Sequence, residues 1–390
     1  MNSSCCSEVP VSKAPPYLEH DFDPRKVDVK ELARELKALR AELDAEAGPE
    51  DIAHLEKIER WGKLCTMLGY GTAWMAPNPV SSVLISQGVL TRWLLMHHIS
   101  HRGYDKVPGI DPKYTSKVFG KGWRRLIDWM DWIYPEAWHE EHDFLHHYHL
   151  GEDDDPDLLE RNTEWMREQD LPGWLQKLLV GLLAGTWKWV YYAPSTLDEL
   201  QKARARRAKE PAPEPAELLS PFNERGRELW LKCLIPHALW RFGAIPAMFA
   251  PLGPVAVGNV LLNTLGAELF TNIHAFLIIG PNHTGEDLYR FDEPVEGREE
   301  FYLRQIVGSA NYACGNEFVD WTQMWLNYQI EHHIWPDLTM LQYRKVQPKV
   351  KALCERMGIP YVQESVFVRA KKMIDVILGK AKMRRVDGLV

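Results

Sequence analysis

A chain of 390 residues can hold one large domain or two ordinary ones, and either way it can bury a core. With a formal net charge of -8 and a pI of about 6.0, the overall balance gives no reason to expect a nucleic-acid partner. The 16 Trp, 14 Tyr and 12 Phe suit helices that meet a membrane interface, yet a mean hydropathy of -0.33 is too polar for a polytopic transporter.

Residues 1–20 are rich in Ser, Pro and Cys and read as disordered, with no apolar run resembling a signal peptide. Cys5 and Cys6 are candidates for acylation, though a dispensable terminus is the simpler reading. The six cysteines are scattered and form no CxxC, which fits free thiols in a reducing compartment. Over 23–59, Leu32, Leu36, Leu39 and Leu43 recur at helical spacing among Lys and Glu. The pattern predicts one or two solvent-exposed helices, broken near Gly48-Pro49.

No charged residue appears between Lys63 and Arg92, and Pro77-Asn78-Pro79 divides that stretch into two expected helices, 61–76 and 80–96. Each is short against the ~20 residues of a spanning helix, which places Trp61 and Trp93 at the interfaces. The second runs straight into Met96-His97-His98. A further apolar stretch, 229–277, is divided by Pro251-Leu252-Gly253-Pro254 and reads as a second hairpin. The segment 173–194 is apolar and Trp-rich but carries Lys177 and Lys188. If it spanned alone, Arg204, Arg206, Arg207 and Lys209 would be forced across the membrane, so it reads as a helix lying in the interface. The expected architecture is all-α and integral to the membrane: four transmembrane helices in two hairpins, with a cytosolic helical cap. Residues 1–60 form an N-terminal cytosolic segment, 61–367 the membrane domain and 368–390 a basic tail.

Of the 15 histidines, eight lie between positions 97 and 149 and two more are adjacent at 332–333. His20 and His54 read as surface residues, and His237 as a satisfied helix histidine. His97 and His101 stand one helical turn apart on one face, as two imidazoles must to reach one metal. His142, His146 and His147 repeat the spacing, in a stretch too apolar for a purely solvated face. His332 and His333 supply two more, and His283 follows directly after the last apolar segment, where a plain turn histidine is an equal reading. Together, His97, His101, His142, His146, His147, His283, His332 and His333 are more donors than one closed mononuclear site can use; two metals with open positions could use them. Imidazole suits Zn, Cu, Fe or Ni alike. The acidic run Glu152-Asp153-Asp154-Asp155-Pro156-Asp157 can supply acceptors that orient ligand N–H groups, or it can be a solvated loop. His98, His139, His149 and His274 are surplus.

These motifs resemble those of the membrane fatty-acid desaturase superfamily. Its three histidine boxes, HxxxH, HxxxHH and H/QxxHH, are matched by HHISH, HDFLHH and QIEHH. WHEEHDFLHHYHLGEDDDPD is similar to the second box with its flanks. NYQIEHHIWPDLTMLQYRKVQPKVKALCERMGIPY is similar to the third box and continuation of the front-end and acyl-lipid branch. The resemblance covers roughly residues 60–365. It implies a di-iron site held by the eight histidines named above, with cytosolic boxes, in the bacterial inner membrane or the endoplasmic reticulum. It implies oxidation of a fatty-acyl chain by O2, with two electrons from an external donor of the ferredoxin or cytochrome b5 type. Gln329 stands where many members have histidine, and His98 where an Asp is common. The His-Pro-Gly-Gly signature of a fused cytochrome b5 is missing, so the donor is expected to be a separate protein. The boxes do not separate desaturation from hydroxylation, acetylenation or oxidative decarboxylation on the same centre. A membrane metal transporter, the reading from another class, would want its ligands within the apolar segments, not just outside them.

Overall fold

The computed structural model describes residues 22–129, 132–169, 171–214 and 218–386. Cys5, Cys6 and His20 lie outside the described residues.

Helix α1, Val29–Glu46, starts where the Asp28 carboxylate accepts the backbone N–H groups of Lys30 and Glu31. It is less exposed than its composition suggests. Leu32, Leu36 and Leu43 are buried, and Arg40 makes two hydrogen bonds, 2.5 and 2.9 Å, to Asp337 nearly 300 residues away. The break at Gly48-Pro49 falls as expected. Helix α2, however, runs from Pro49 to Ala73 without interruption, so the second polar helix and the first apolar one are a single element. Nothing between them supplies a cap or a proline, and a helix continues until something stops it.

Asn78 caps α3, Pro79–Ser100, by accepting from Ser81 N at 2.8 Å, with Pro79 in the first turn. α2 and α3 pack so closely that a Cβ on Gly88 would stand 2.2 Å from Thr66 Oγ1, and one on Gly62 2.7 Å from Thr91. The second box lies on α4, 135–146, in which Pro135–Trp138 continues as the π-helical His139–His146. Segment 173–208 forms a long helix, α5: Gly173–Trp187, a π-helical turn Lys188–Tyr192, then Ala193–Ala208.

Helices α6, Glu224–Leu252, and α7, which runs from Pro254 to Ile279, make the second hairpin. Gly253 turns the chain at φ +94, a conformation that favours glycine. Glu224–Leu252 and Pro254–Asn282 are each long and apolar enough to cross a membrane. Asn263 ties the two hairpins together at their turns, accepting from Asn78 N and donating to the Ala73 carbonyl, both at 2.8 Å.

The rest folds over the opposite end of these helices as α8 (Arg298–Val307), α9 (Gln329–Ile334), α10 (Met340–Met357) and α11 (Val366–Ile377). The boundary placed at 367 falls inside α11. Beyond it, β2 (Arg384–Val386) pairs in parallel with β1 (Tyr289–Phe291). The protein is mostly helical. Leu32 and Leu36 of α1 share one buried cluster with Trp325 and Tyr343, so the N-terminal helices are built into the C-terminal half.

Candidate metal centre

The histidines converge where α3 and α7 end. α3 runs four residues beyond its expected end at 96 and carries His97 and His98, with His101 as its C-cap. His142, His146 and His147 come from α4 and its end, and His332 and His333 from α9. His283 follows a single 3-10 turn, Gly280–Asn282, after α7.

Two groups form. The donor nitrogens of His97, His101, His142 and His332 all lie within 4.8 Å of one another, and those of His146, His283 and His333 do the same. His97 Nε2 and His332 Nε2 are 3.1 Å apart. Two nitrogens bound to one ion at about 2.0–2.1 Å stand about 3.0–3.4 Å apart. His147 lies between the groups, its ring stacked on His333 at 4.4 Å and edge-on to His101 at 4.5 Å. Both ring nitrogens of His142 and of His147, and the Nε2 atoms of His101 and His333, are buried without a hydrogen-bond partner. Buried polar atoms rarely stay unpaired in native proteins. An arrangement that leaves this many lone pairs facing one another fits metal ions.

Their outer nitrogens are anchored. His101 Nδ1 lies 2.6 Å from Asp143, and His146 Nδ1 2.9 Å from Asp155. His333 Nδ1 donates to Gln305 Oε1 at 3.0 Å. His332 Nδ1 meets Tyr343 Oη at 3.0 Å, and that hydroxyl's own proton is directed at the carbonyls of Trp335 and Pro336. The hydroxyl must therefore accept from His332. In all four rings the proton is held on Nδ1 and Nε2 is left to ligate.

Electrostatics follow the same logic. Burial holds His142, His147, His332 and His333 well below the ordinary imidazole range, and the neighbouring rings add to the effect. They are neutral, as ligands must be. His146 goes the other way: burial lowers it, but the Asp155 carboxylate outweighs that and raises it. Asp143 is opposed by burial yet held well below the carboxylate range by His101 and His139.

The surplus histidines are accounted for. His98 donates from Nε2 to the Met324 carbonyl at 2.8 Å and belongs to neither group. His139 binds Asp143 and His149 binds Glu152, and His274 is in neither group. His54, expected at the surface, is buried edge-on against Trp325 at 4.7 Å, and burial pushes it down to about 4. Gln329 reaches His283 Nε2 at 2.9 Å. Asp143, Gln305 and Tyr343 had no distinct signal, because their role depends on contacts between elements.

Two spaces adjoin the centre. An open cleft of about 960 Å³ exposes His101, His147 and His333, with Arg102, Lys106 and Arg298 among its other walls. On the other side a narrow cavity walled by Trp93, Leu94, Trp187 and Ile279 reaches His97, His142 and His146.

Fold and site together define a helical protein with apolar hairpins at one end and a buried polyhistidine centre at the other. The model of the fatty acid desaturase family matches residues 72–365, and the chain belongs to that family of oxidoreductases. It is 24% identical over 367 residues to an NADPH-dependent stearoyl-CoA 9-desaturase of Mycobacterium tuberculosis, covering 88% of this chain and 78% of that protein. Shorter matches include a Delta(8)-fatty-acid desaturase of Arabidopsis thaliana, 36% identical over 80 residues (20% of this chain, 17% of that one). An sn-1 linoleoyl-lipid 6-desaturase of Arthrospira platensis is 27% identical over 122 residues, or 30% of this chain and 33% of that one.

Proposed function

We propose that the chain desaturates a fatty-acyl chain in a membrane, at a pair of iron ions held by His97, His101, His142, His146, His147, His283, His332 and His333. The observation that carries this reading is the convergence of these eight buried imidazoles beside an apolar cavity, with unpartnered ring nitrogens on His101, His142, His147, His283 and His333. Bound iron supplies the means of activating O2 for attack on an unactivated C–H bond. Overall, two C–H bonds break and a C=C forms; O2 takes two electrons from the acyl chain and two from a donor protein, and leaves as two waters.

The chain's own residues do the positioning. Trp93, Leu94, Trp187 and Ile279 form the apolar wall against which a methylene segment lies, excluding water. Asp143, Asp155, Tyr343 and Gln305 fix the ligand rings. A separate ferredoxin or cytochrome b5 type donor has access through the cleft beside Arg102, Lys106 and Arg298.

In this reading α2, α3, α6 and α7 are four spans and the boxes face the cytosol, of a bacterial inner membrane or of the endoplasmic reticulum. The lipid-facing surface includes the exposed Leu64, Met67, Val83, Leu239, Leu262 and Phe270. Trp174, Leu178 and Leu182 of α5, also exposed, face the interface. The desaturase domain has residues 61–367 as its body, and α2 and α11 run on past those bounds.

The test is fatty-acid profiling of a host that expresses the chain, beside a His332→Ala/His333→Ala control. Lipids two mass units lighter, found only with the intact centre, are expected. A gain of sixteen units would instead assign hydroxylation, and a chain one carbon shorter decarboxylation.

A further inference from the structure

A third space shares no lining residue with either of the two at the metal centre. It is a pocket of about 940 Å³ between the segment 160–167, the first turns of α5 and the C-terminal segment 378–385. Its C-terminal wall is pinned in place. β2 pairs with β1, with Arg385 in register with Arg290, and Met383 N donates to Glu160 Oε1 at 3.1 Å. The wall across from it is pinned too. Arg161 donates to the Asp155 carbonyl at 2.8 Å and to Asn162 Oδ1 at 3.1 Å, and Arg167 donates to the Glu160 carbonyl and, at 3.1 Å, to Thr163 Oγ1.

Five basic side chains and three acidic ones line the pocket. Two of the three carboxylates, Asp153 and Glu160, are both spent on Arg290. Among the described residues no carboxylate pairs with Arg161, Arg167 or Lys382, and Arg385 has only Asp292, at 3.9 Å. A guanidinium whose acceptors are carbonyl, amide and hydroxyl oxygens keeps its full charge. The lining therefore has a surplus of positive charge and suits a compact anion with several acceptor oxygens, which is what a phosphate offers.

The start of α5 points to the source of that phosphate. Gln176 lines the pocket, while Trp174 and Leu178, two residues to either side of it, are 68% and 49% exposed. Residues two apart do not share a helical face. The helix thus turns a polar side to the pocket and an apolar side outward at the same level. In the membrane reading above, on which this location rests, the outward side meets lipid and the pocket lies at headgroup depth.

We infer that this pocket binds the phosphate of an anionic phospholipid, with Arg161, Arg167, Lys382 and Arg385 as donors. A choline headgroup is disfavoured there, because it brings an ammonium against the same cations.

The test uses the full-length chain in detergent, titrated with phosphatidylglycerol or phosphatidylcholine of identical acyl chains and followed by native mass spectrometry. The wild type should take up its first phosphatidylglycerol about tenfold or more tighter than phosphatidylcholine, the scale set by a few basic residues at an anionic surface. Lys382→Gln/Arg385→Gln removes two exposed cations and should cut that preference to about twofold or less. Lys26→Gln/Lys30→Gln, equally exposed but outside the pocket, should keep it. Equal uptake of the two lipids by the wild type would overturn the site, as would an unchanged preference in Lys382→Gln/Arg385→Gln. Loss of the preference in both variants would also overturn it, since general charge would then be the cause. Inorganic phosphate separates the sources: if it displaces the first phosphatidylglycerol at equal concentration, the ligand is a soluble phosphate and the lipid assignment falls. Should Lys382→Gln/Arg385→Gln not fold, Lys382→Gln alone decides, with a loss of about fivefold expected. A wild type that stays monodisperse without detergent would refute the membrane reading itself.

Discussion

The molecule buries two polar clusters, and they are built on opposite principles. At the end of the helices, neutral imidazoles point inward with unpartnered nitrogens, and their outer nitrogens are tied to carboxylates and hydroxyls. Among the apolar helices, Lys188 of α5 is paired with Glu268 of α7 and lies 4.0 Å over the face of Trp132. His237 and Arg241 of α6 stand 3.8 and 3.7 Å from the same Glu268, and Arg241 donates to Tyr70 Oη at 2.9 Å. There opposite charges face one another and tie α2, α5, α6 and α7 together. The first cluster gathers neutral donors that face one another with no counter-charge between them; the second sets Lys188, Arg241 and His237 against a single carboxylate. Ionisable residues in apolar helices mark function by default, and this pair shows that the sharper criterion is whether the donors are left facing each other.

Substitution separates the two clusters most strongly at Glu268. Glu268→Leu leaves Lys188 and Arg241 buried without their counter-charge, and is expected to cost about 3–5 kcal/mol of stability. Lys188→Met should cost less, because Arg241 remains beside Glu268. Adding Lys188→Met to Glu268→Leu should recover part of the loss. Iron per folded chain should not change in any of the three. Denaturant unfolding in detergent together with metal analysis checks this, and iron loss in a well-folded Lys188→Met would break the distinction.

A smaller effect is expected at Asp155, which anchors His146. Asp155→Asn should weaken iron retention about 10- to 100-fold, as loss of an outer-shell partner does, and should also lower the thermal stability of the metal-free form, because the buried carboxylate accepts from Gly151 N and Asp157 N as well. Competition with a graded series of chelators measures it.

A further effect concerns pH and the metal-free protein. Burial holds His142, His147, His332 and His333 below the usual imidazole range. Below the unfolded value of about 6.5 the unfolded chain therefore binds more protons than the folded one. Stability is full above that pH and falls as pH drops through it. The Tm of the metal-free form should decline between pH 7.5 and 5.5. His332→Ala/His333→Ala, with fewer such groups, should decline less.

The convergence of the histidines was legible because spacing fixes which imidazoles share a helical face, and each box lies on one helix or its C-cap. His98 shows where spacing stops. It sits beside His97, but its ring is taken by the carbonyl of Met324, a residue at φ +50 in a distant turn. The hairpins were legible from Pro77-Asn78-Pro79 and Pro251-Leu252-Gly253-Pro254. The fusion of two predicted helices into α2 was not, since amphipathic and apolar stretches differ in surroundings and not in backbone. The burial of α1 and of His54 depends on α10 and on Trp325, which lie some 270 to 300 residues further along the chain.

The central claim is that the converging histidines hold two irons. Metal analysis of the purified full-length chain, beside His332→Ala/His333→Ala, tests it most directly. Two irons per wild-type chain, and loss of bound iron in the variant, are predicted. Zinc in place of iron, or equal iron in both proteins, would contradict it.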